Sequence, residues 1–332
     1  MRFGLRLIQF HGSPQRLVEL AALGERAGFD QIWFPHDPFM LNSWTLASAA
    51  ATRTERAVVA SIATNPYTTD PSEIATFVAT LDLLSGGRAA VGIGLHTDTM
   101  VGWTGHDAGD RIERTRVTVE IVRRLLRGEV VSGEIGPFRW SESCFLRFEP
   151  LRAEVPIYVA AYEPDYVELS GEIGEGSLPM ITPPESAGLM VEHVRRGALR
   201  AGRDPAEVDV AGCAWLSLSE SAQEAAAMLR PMVAYFGPYL EQQALATVGL
   251  DAEDFAPLRR LVDAGDLDAA AAAVTPEMLR LAIVGTPADV IERIELLADA
   301  GITQLNLGGP LGHDPEEALE LMARHVIPHF RR

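Results

Sequence analysis

Two imidazole–carboxylate pairs stand out because each follows an apolar run that reads as a strand. They are His36-Asp37, within Pro35-His36-Asp37-Pro38, and His96 with Asp98, within Gly94-Leu95-His96-Thr97-Asp98. An imidazole beside a carboxylate can be oriented, tuned toward neutrality and used as a general acid or base. His36 is therefore a candidate acid or base, Asp37 its orienter or a ring contact, and His96 a second candidate proton donor. A surface turn closed by an Asx-type hydrogen bond would use the same residues, and the pattern alone leaves both readings open.

Other apolar runs end on groups that suit a ligand. Thr64-Asn65-Pro66-Tyr67-Thr68 could contact a flat heteroaromatic ring or cap the helix that follows. Gly92 and Gly94 would let a ligand approach the backbone, or serve a tight turn. Ala160-Ala161-Tyr162 leads through Glu163-Pro164 into a helix whose first N–H groups could hold an anion, a use that Glu163 opposes. Gly308-Gly309 opens a last glycine-rich loop that could bind an anion or close the fold.

Composition narrows the chemistry. The chain has no lysine, so Schiff-base catalysis and a P-loop lysine are excluded, and any anion is held by Arg, His or a hydroxyl. Its formal charge of -18 argues against nucleic acid or an anionic membrane as partner. Cys144 and Cys213 stand far apart, with no spacing that suggests a disulfide framework or a metal site. Apolar stretches are broken by charge well before the length that crosses a bilayer, which predicts a soluble cytoplasmic protein.

The elements that must position these groups follow from periodicity. Strand-like runs over Phe3–Gln9, Gln31–Phe34, Ala57–Ala63, Ala89–Gly94, Ile157–Ala160, Gly176–Met180, Val208–Leu218 and Ile302–Leu307 alternate with helical spacing. Ser13-Pro14, Asp70-Pro71 and Thr286-Pro287 each place a capping side chain before a proline at a helix start. Repeated strand–helix units of this number predict an α/β chain folded as a (β/α)8 TIM barrel, whose active face lies at the strand carboxyl ends. One domain over residues 1–332 is expected, with excursions at 128–152, containing a short hairpin, and at 221–283, a helical insertion before the last strand.

The stretch TNPYTTDP followed by ATLDLLSGGRAAVGIG, from Thr64 to Gly94, resembles the coenzyme F420-dependent methylenetetrahydromethanopterin reductases of the luciferase-like superfamily. Weaker similarity runs through ERAGFDQIWF, VPIYVAAYEPDYVELSGEIGEGSL and IVGTPADVIERIELLADAGITQLNLGGPLG, and so over nearly the whole chain. The resemblance implies a luciferase-like barrel, often dimeric or larger, that holds coenzyme F420, or FMN in sister groups, at its carboxyl end. It also implies a non-proline cis peptide near Ser61-Ile62-Ala63 against the ring. The family's usual Asp-His order is reversed here in His36-Asp37, bulk replaces glycine in Leu95-His96, and Glu163 stands near the phosphate-binding turn.

Three functions are therefore weighed: an F420-dependent oxidoreductase, an FMN-dependent monooxygenase, and a repurposed barrel without catalysis. The loops that would meet methanopterin differ most from the family, so the expected substrate is another small molecule. Phe39, Met40, Trp44, Trp103 and Phe138 suggest that it is apolar, or simply pack in the core.

Overall fold

The computed structural model describes residues 1–94, 98–160, 163–179, 181–240 and 242–331. The candidates His96, Ala161 and Tyr162 lie outside them. The strands are β1 (Arg2–Arg6), β2 (Gln31–Pro35), β3 (Val58–Thr64), β4 (Ala89–Gly94), β5 (Val131–Ile135), β6 (Phe138–Cys144), β7 (Ile157–Ala160), β8 (Gly176–Ser177), β9 (Asp209–Leu218), β10 (Ile283–Gly285) and β11 (Gln304–Leu311). All but β5 and β6 form one parallel sheet; pairing of β8 with β9 closes eight of its strands into the expected barrel, with β10 attached beside β9.

The helices are α1 (Pro14–Ala27), α2 (Ser43–Ala51), α3 (Pro71–Ser85), α4 (Asp98–Trp103), α5 (Arg111–Leu126), α6 (Pro164–Ile173) and α7 (Ala187–Arg200). They continue with α8 (Ala222–Phe236), α9 (Gln242–Thr247), α10 (Ala256–Asp263), α11 (Leu267–Ala272), α12 (Pro276–Leu279), α13 (Pro287–Asp299) and α14 (Pro315–Leu321). The expected caps form: Ser13, Asp70 and Thr286 accept from the backbone N–H groups of Arg16, Ser72 and Asp289. The excursion at 128–152 contains the antiparallel β5–β6 hairpin, while the insertion α8–α12 packs Leu229, Val233, Phe255 and Leu258 into a small core of its own. Strand β10 is an addition to the expectation; it pairs with β9 from just beyond the helical run.

Strand alternation sorts the side chains into two layers. Phe3, Leu5, Ile32, Phe34, Val59, Val91, Ile93, Leu305 and Leu307 point outward into the core beneath the helices. Trp33, Ala60, Ile62, Ala90, Tyr158, Ala160 and Cys213 point into the lumen. The amino-terminal end of the lumen is sealed by polar pairs. Gln31 and Gln304 exchange side-chain hydrogen bonds of 2.6 and 2.8 Å, and Trp33 Nε1 donates to Gln31 Oε1 at 2.7 Å. Tyr158 donates to Asp209 Oδ2 at 2.7 Å, and Arg2 pairs with the same oxygen at 2.7 Å. Burial and the adjoining Asp209 push the Tyr158 phenol upward, so it remains a donor. A sealed lower end leaves the carboxyl end as the open face.

Two polar contacts tie distant segments to this frame. Asp82 of α3, fully enclosed, accepts from Arg152 Nε at 2.9 Å and Nη2 at 2.5 Å, and from the Ala89 backbone N–H at 3.1 Å. It therefore anchors the end of the hairpin excursion to the start of β4. His11, in a single 3-10 turn after β1, accepts the Ile8 N–H at Nδ1 (3.1 Å) and donates from Nε2 to the Gly309 carbonyl. The buried imidazole thus joins the loop after β1 to the end of β11. Burial lowers its pKa, outweighing its two backbone hydrogen bonds.

Asp82→Ala removes the acceptor shared by the half-buried Arg152 and the Ala89 N–H, so it should cost about 2 kcal/mol in urea denaturation, against under about 1 kcal/mol for a surface pair such as Arg324–Glu320. His11 sets a pH dependence. Its folded pKa lies below the 6.5 of the free side chain, so its stabilisation is complete above about 6.5 and is lost as pH falls through the lowered value. Melting at about pH 7.5 and about pH 5 should show a smaller acid loss for His11→Gln than for the native chain; equal losses would show that other groups carry it.

Candidate functional site

The loops beyond the strand carboxyl ends enclose a cleft of about 810 Å³, its open mouth included. Arg6, Pro35, Ile62, Ala63, Ala160 and Leu178 face it from the upper barrel, and Asp37 and Met40 from the turn above β2. Ile8 and Phe10 close one side, while Trp215, Met232 and Phe236 close another. Phe10 meets Phe236 edge to face at 6.4 Å, and Phe236 lies 6.1 Å from Trp215, so the insertion helix α8 and the first loop share an aromatic rim. Among the described residues, Arg6 and Asp37 are the charged side chains lining the cleft.

The backbone beneath the cleft is irregular where β3 meets β4. Their register shifts between Ser61 and Thr64, and the Ile62–Ala63 peptide is cis, at the place the resemblance implies. The His36 N–H donates to the Ile62 carbonyl at 2.5 Å, tying the turn after β2 to this bulge. Behind the wall runs a chain of side chains: His36 Nδ1 to Ser43 Oγ at 2.7 Å, Ser43 Oγ to Ser61 Oγ at 2.7 Å, and Ser61 Oγ to Thr64 Oγ1 at 3.2 Å. Ser43, Ser61 and Thr64 have no exposed surface, so the chain stiffens the barrel wall from outside rather than touching a ligand.

This arrangement redistributes the residues singled out by sequence. Ile62, Ala63, Ala160 and Gly309 line the cleft, as expected of cofactor contacts. Ser61 and Thr64 do not; they belong to the supporting chain. Asn65 is buried with its Oδ1 accepting from the Tyr67 N–H at 3.1 Å and the Thr68 N–H at 2.9 Å, an Asx-type loop closure in place of the expected ring contact. Gly92 and Gly94 are required by neighbouring strands: a Cβ would lie 2.9 Å from Ile62 Cγ1 and 2.3 Å from the Ala160 carbonyl, respectively. Gly308 makes room for Arg6, since a Cβ there would lie 2.9 Å from Arg6 Nε.

The reversed His36-Asp37 order has a clear outcome. Gln31, Trp33 and Pro35 share the inward parity of β2; beyond the strand end Asp37 lines the cleft, while the imidazole of His36 reaches Ser43 on α2. Trp44 stacks on Phe77 at 4.5 Å, Phe39 and Trp103 are largely exposed, and Phe138 packs by Arg114, leaving Met40 as the member of that group in the cleft. Glu163 pairs with Arg111 at 3.0 Å, which compensates its charge at the start of α6. Sequence reading missed Arg6, Ile8, Phe10, His11, Trp215, Met232 and Phe236. Counting inward parity along β1 and β9 would have found Arg6 and Trp215.

Comparison with known proteins agrees with this geometry. A 5,10-methylenetetrahydromethanopterin reductase of Archaeoglobus fulgidus is 30% identical over 341 aligned positions, covering 100% of both chains. The coenzyme F420-dependent tetrahydromethanopterin reductase of Methanopyrus kandleri superposes with a TM-score of 0.93 at 28% identity, over 99% of each chain. An F420-dependent glucose-6-phosphate dehydrogenase of Microbacterium testaceum is 25% identical, over 100% of this chain and 98% of its own. The luciferase-like monooxygenase family matches residues 1–304, from the first strand of the barrel to the opening of the last, and the chain belongs to that family.

Proposed function

We propose that the chain is a coenzyme F420-dependent oxidoreductase that moves a hydride between the deazaflavin and a small organic substrate. The observation that carries this reading is the cleft itself: an apolar-walled slot over Ile62–Ala63, with a carboxylate at its edge, in a barrel superposable on an F420-dependent reductase. The residues suit a flat tricycle. Ile62, Ala63 and Ala160 offer a low apolar surface, and Met40 and Trp215 can flank a ring. Once bound, the deazaflavin supplies or takes up the hydride at a ring carbon.

The chain's own part is positioning, exclusion of water and one proton. Asp37 is the side chain we assign to hold or accept that proton, because it faces the cleft. His36 is a positioning residue, acting through its N–H on Ile62 and its imidazole on Ser43. Phe10 and Phe236 roof the slot against water. His96, the second candidate donor, lies outside the described residues and stays a proposal from the sequence. The fusion of barrel and insertion around one cleft supports a single domain over the whole chain.

Among the described residues no helix is long and apolar enough to cross a membrane. Both cysteines are unpaired, which supports a cytoplasmic setting. Leu83 and Leu84 of α3 are about half exposed, which supports a homo-oligomer covering them.

Titrating the purified protein with F420 and, separately, with FMN while following tryptophan emission should show saturable F420 binding at least tenfold tighter than FMN. Tighter FMN binding would favour the monooxygenase reading, and binding of neither would favour the repurposed barrel. Once a substrate is in hand, Asp37→Asn should lower kcat by about 100- to 10,000-fold, with F420 affinity kept within about twofold. His36→Gln should cost roughly tenfold. The reverse ranking would return the proton to His36.

A further inference from the structure

We propose that the substrate is an uncharged, flat aryl compound and that Met232 and Phe236 of the helical insertion select it. This rests on the oxidoreductase reading and names the substrate class of the same site. In the closed order of the barrel, β9 stands four strands from β3, directly across the lumen. A ring lying over Ile62–Ala63 therefore turns its other face toward Trp215 of β9 and toward α8, the helix that follows β9. The substrate occupies that side, because a hydride passes from the ring to a molecule held against its open face.

The residues of α8 divide between two tasks. Leu229 and Val233 turn into the insertion's own core, whereas Met232 and Phe236, one helical turn apart, border the cleft. Phe236 lies 6.4 Å from Phe10 and 6.1 Å from Trp215, and Gly309 has no side chain where a Cβ would come 3.0 Å from Met232 Sδ. Phe10 leaves 60% of its surface exposed although the adjoining His11 is buried, so an aromatic face stands open at the mouth. Aromatic and thioether groups reward an aryl ring through offset, edge and sulfur contacts as well as through area. Charge finds no such welcome. Among the described residues this wall carries no ionisable side chain, and the charged groups elsewhere in the cleft, Arg6 and Asp37, are opposite in sign and neither is without a partner. An ionic substrate would lose its hydration in a site with no surplus charge to replace it, a cost that a neutral ring avoids.

The test uses three probes: benzylideneacetone, an uncharged aryl enone; trans-cinnamate, an anion of similar outline; and mesityl oxide, an enone without the ring. Binding to the full chain is followed by calorimetry with saturating oxidised F420, which has no hydride to give, and again without F420. The native protein should bind benzylideneacetone at least about tenfold more tightly than either of the others. Met232→Ala combined with Phe236→Ala should reduce the preference for the aryl enone over mesityl oxide to under about threefold, and Phe236→Tyr, which keeps the ring, should retain it. The preference is a ratio within one protein, so a general fall in affinity does not imitate it, and thermal melting shows whether the variants fold. Cinnamate binding as tight as that of benzylideneacetone, equal binding of the two enones, absence of benzylideneacetone binding, or an unchanged aryl preference in the folded double variant would each overturn the proposal. An aryl preference in a protein that ignores F420 would uphold the wall and defeat the cofactor assignment, and F420 binding without that preference would do the reverse.

Discussion

The His36 N–H to Ile62 carbonyl hydrogen bond is the tie on which the floor of the open face depends. It joins the turn after β2 to the point where β3 leaves its register with β4, and so fixes Asp37 and the Ile62–Ala63 backbone relative to each other. The supports lie on the far side of the wall, in the Ser43–Ser61–Thr64 chain, and beside it, where Gly92 admits the Ile62 side chain. A site built on a strand end and braced from behind is more exact than one carried by a free loop. The cleft's surface can then vary without loss of the slot.

The two ends of the barrel divide the labour. At the amino-terminal end, Gln31, Gln304, Tyr158, Asp209 and Arg2 satisfy one another and close the lumen. At the carboxyl end the polar groups are sparse and the walls apolar, which suits a ring and a small substrate and keeps water out. The rim is assembled from distant parts of the chain. His11 draws the first loop to Gly309, and Phe236 brings the insertion onto Phe10.

Much of this was legible in the sequence, and for stateable reasons. The eight barrel strands, the helix caps, the hairpin excursion and the helical insertion follow from local period and capping chemistry, with shifted ends: β1 stops at Arg6 before a 3-10 turn, β8 is only Gly176–Ser177, β11 runs from Gln304 to Leu311, and β10 was not legible. Contacts of the site were legible only in part. Proximity to a strand end suggested Thr64 and Asn65 as ligand contacts, and the resemblance suggested Ser61, yet local hydrogen bonding makes all three supports. Beyond the end of β2, Asp37 rather than His36 lines the cleft. Phe10, His11, Met232 and Phe236 carry no local signal, because their role arises from contacts between segments far apart in the chain. The cis peptide rested on family resemblance alone, since no residue type marks it.

The central claim is that a deazaflavin lies over Ile62–Ala63 with Asp37 at its edge. A crystal structure of the protein soaked with F420 tests it most directly. The account predicts the tricycle packed on the Ile62–Ala63 backbone between Met40 and Trp215, with the Asp37 carboxylate facing the substrate side of the ring. Density for the ring elsewhere, or a cleft that side chains fill when F420 is bound, would contradict it.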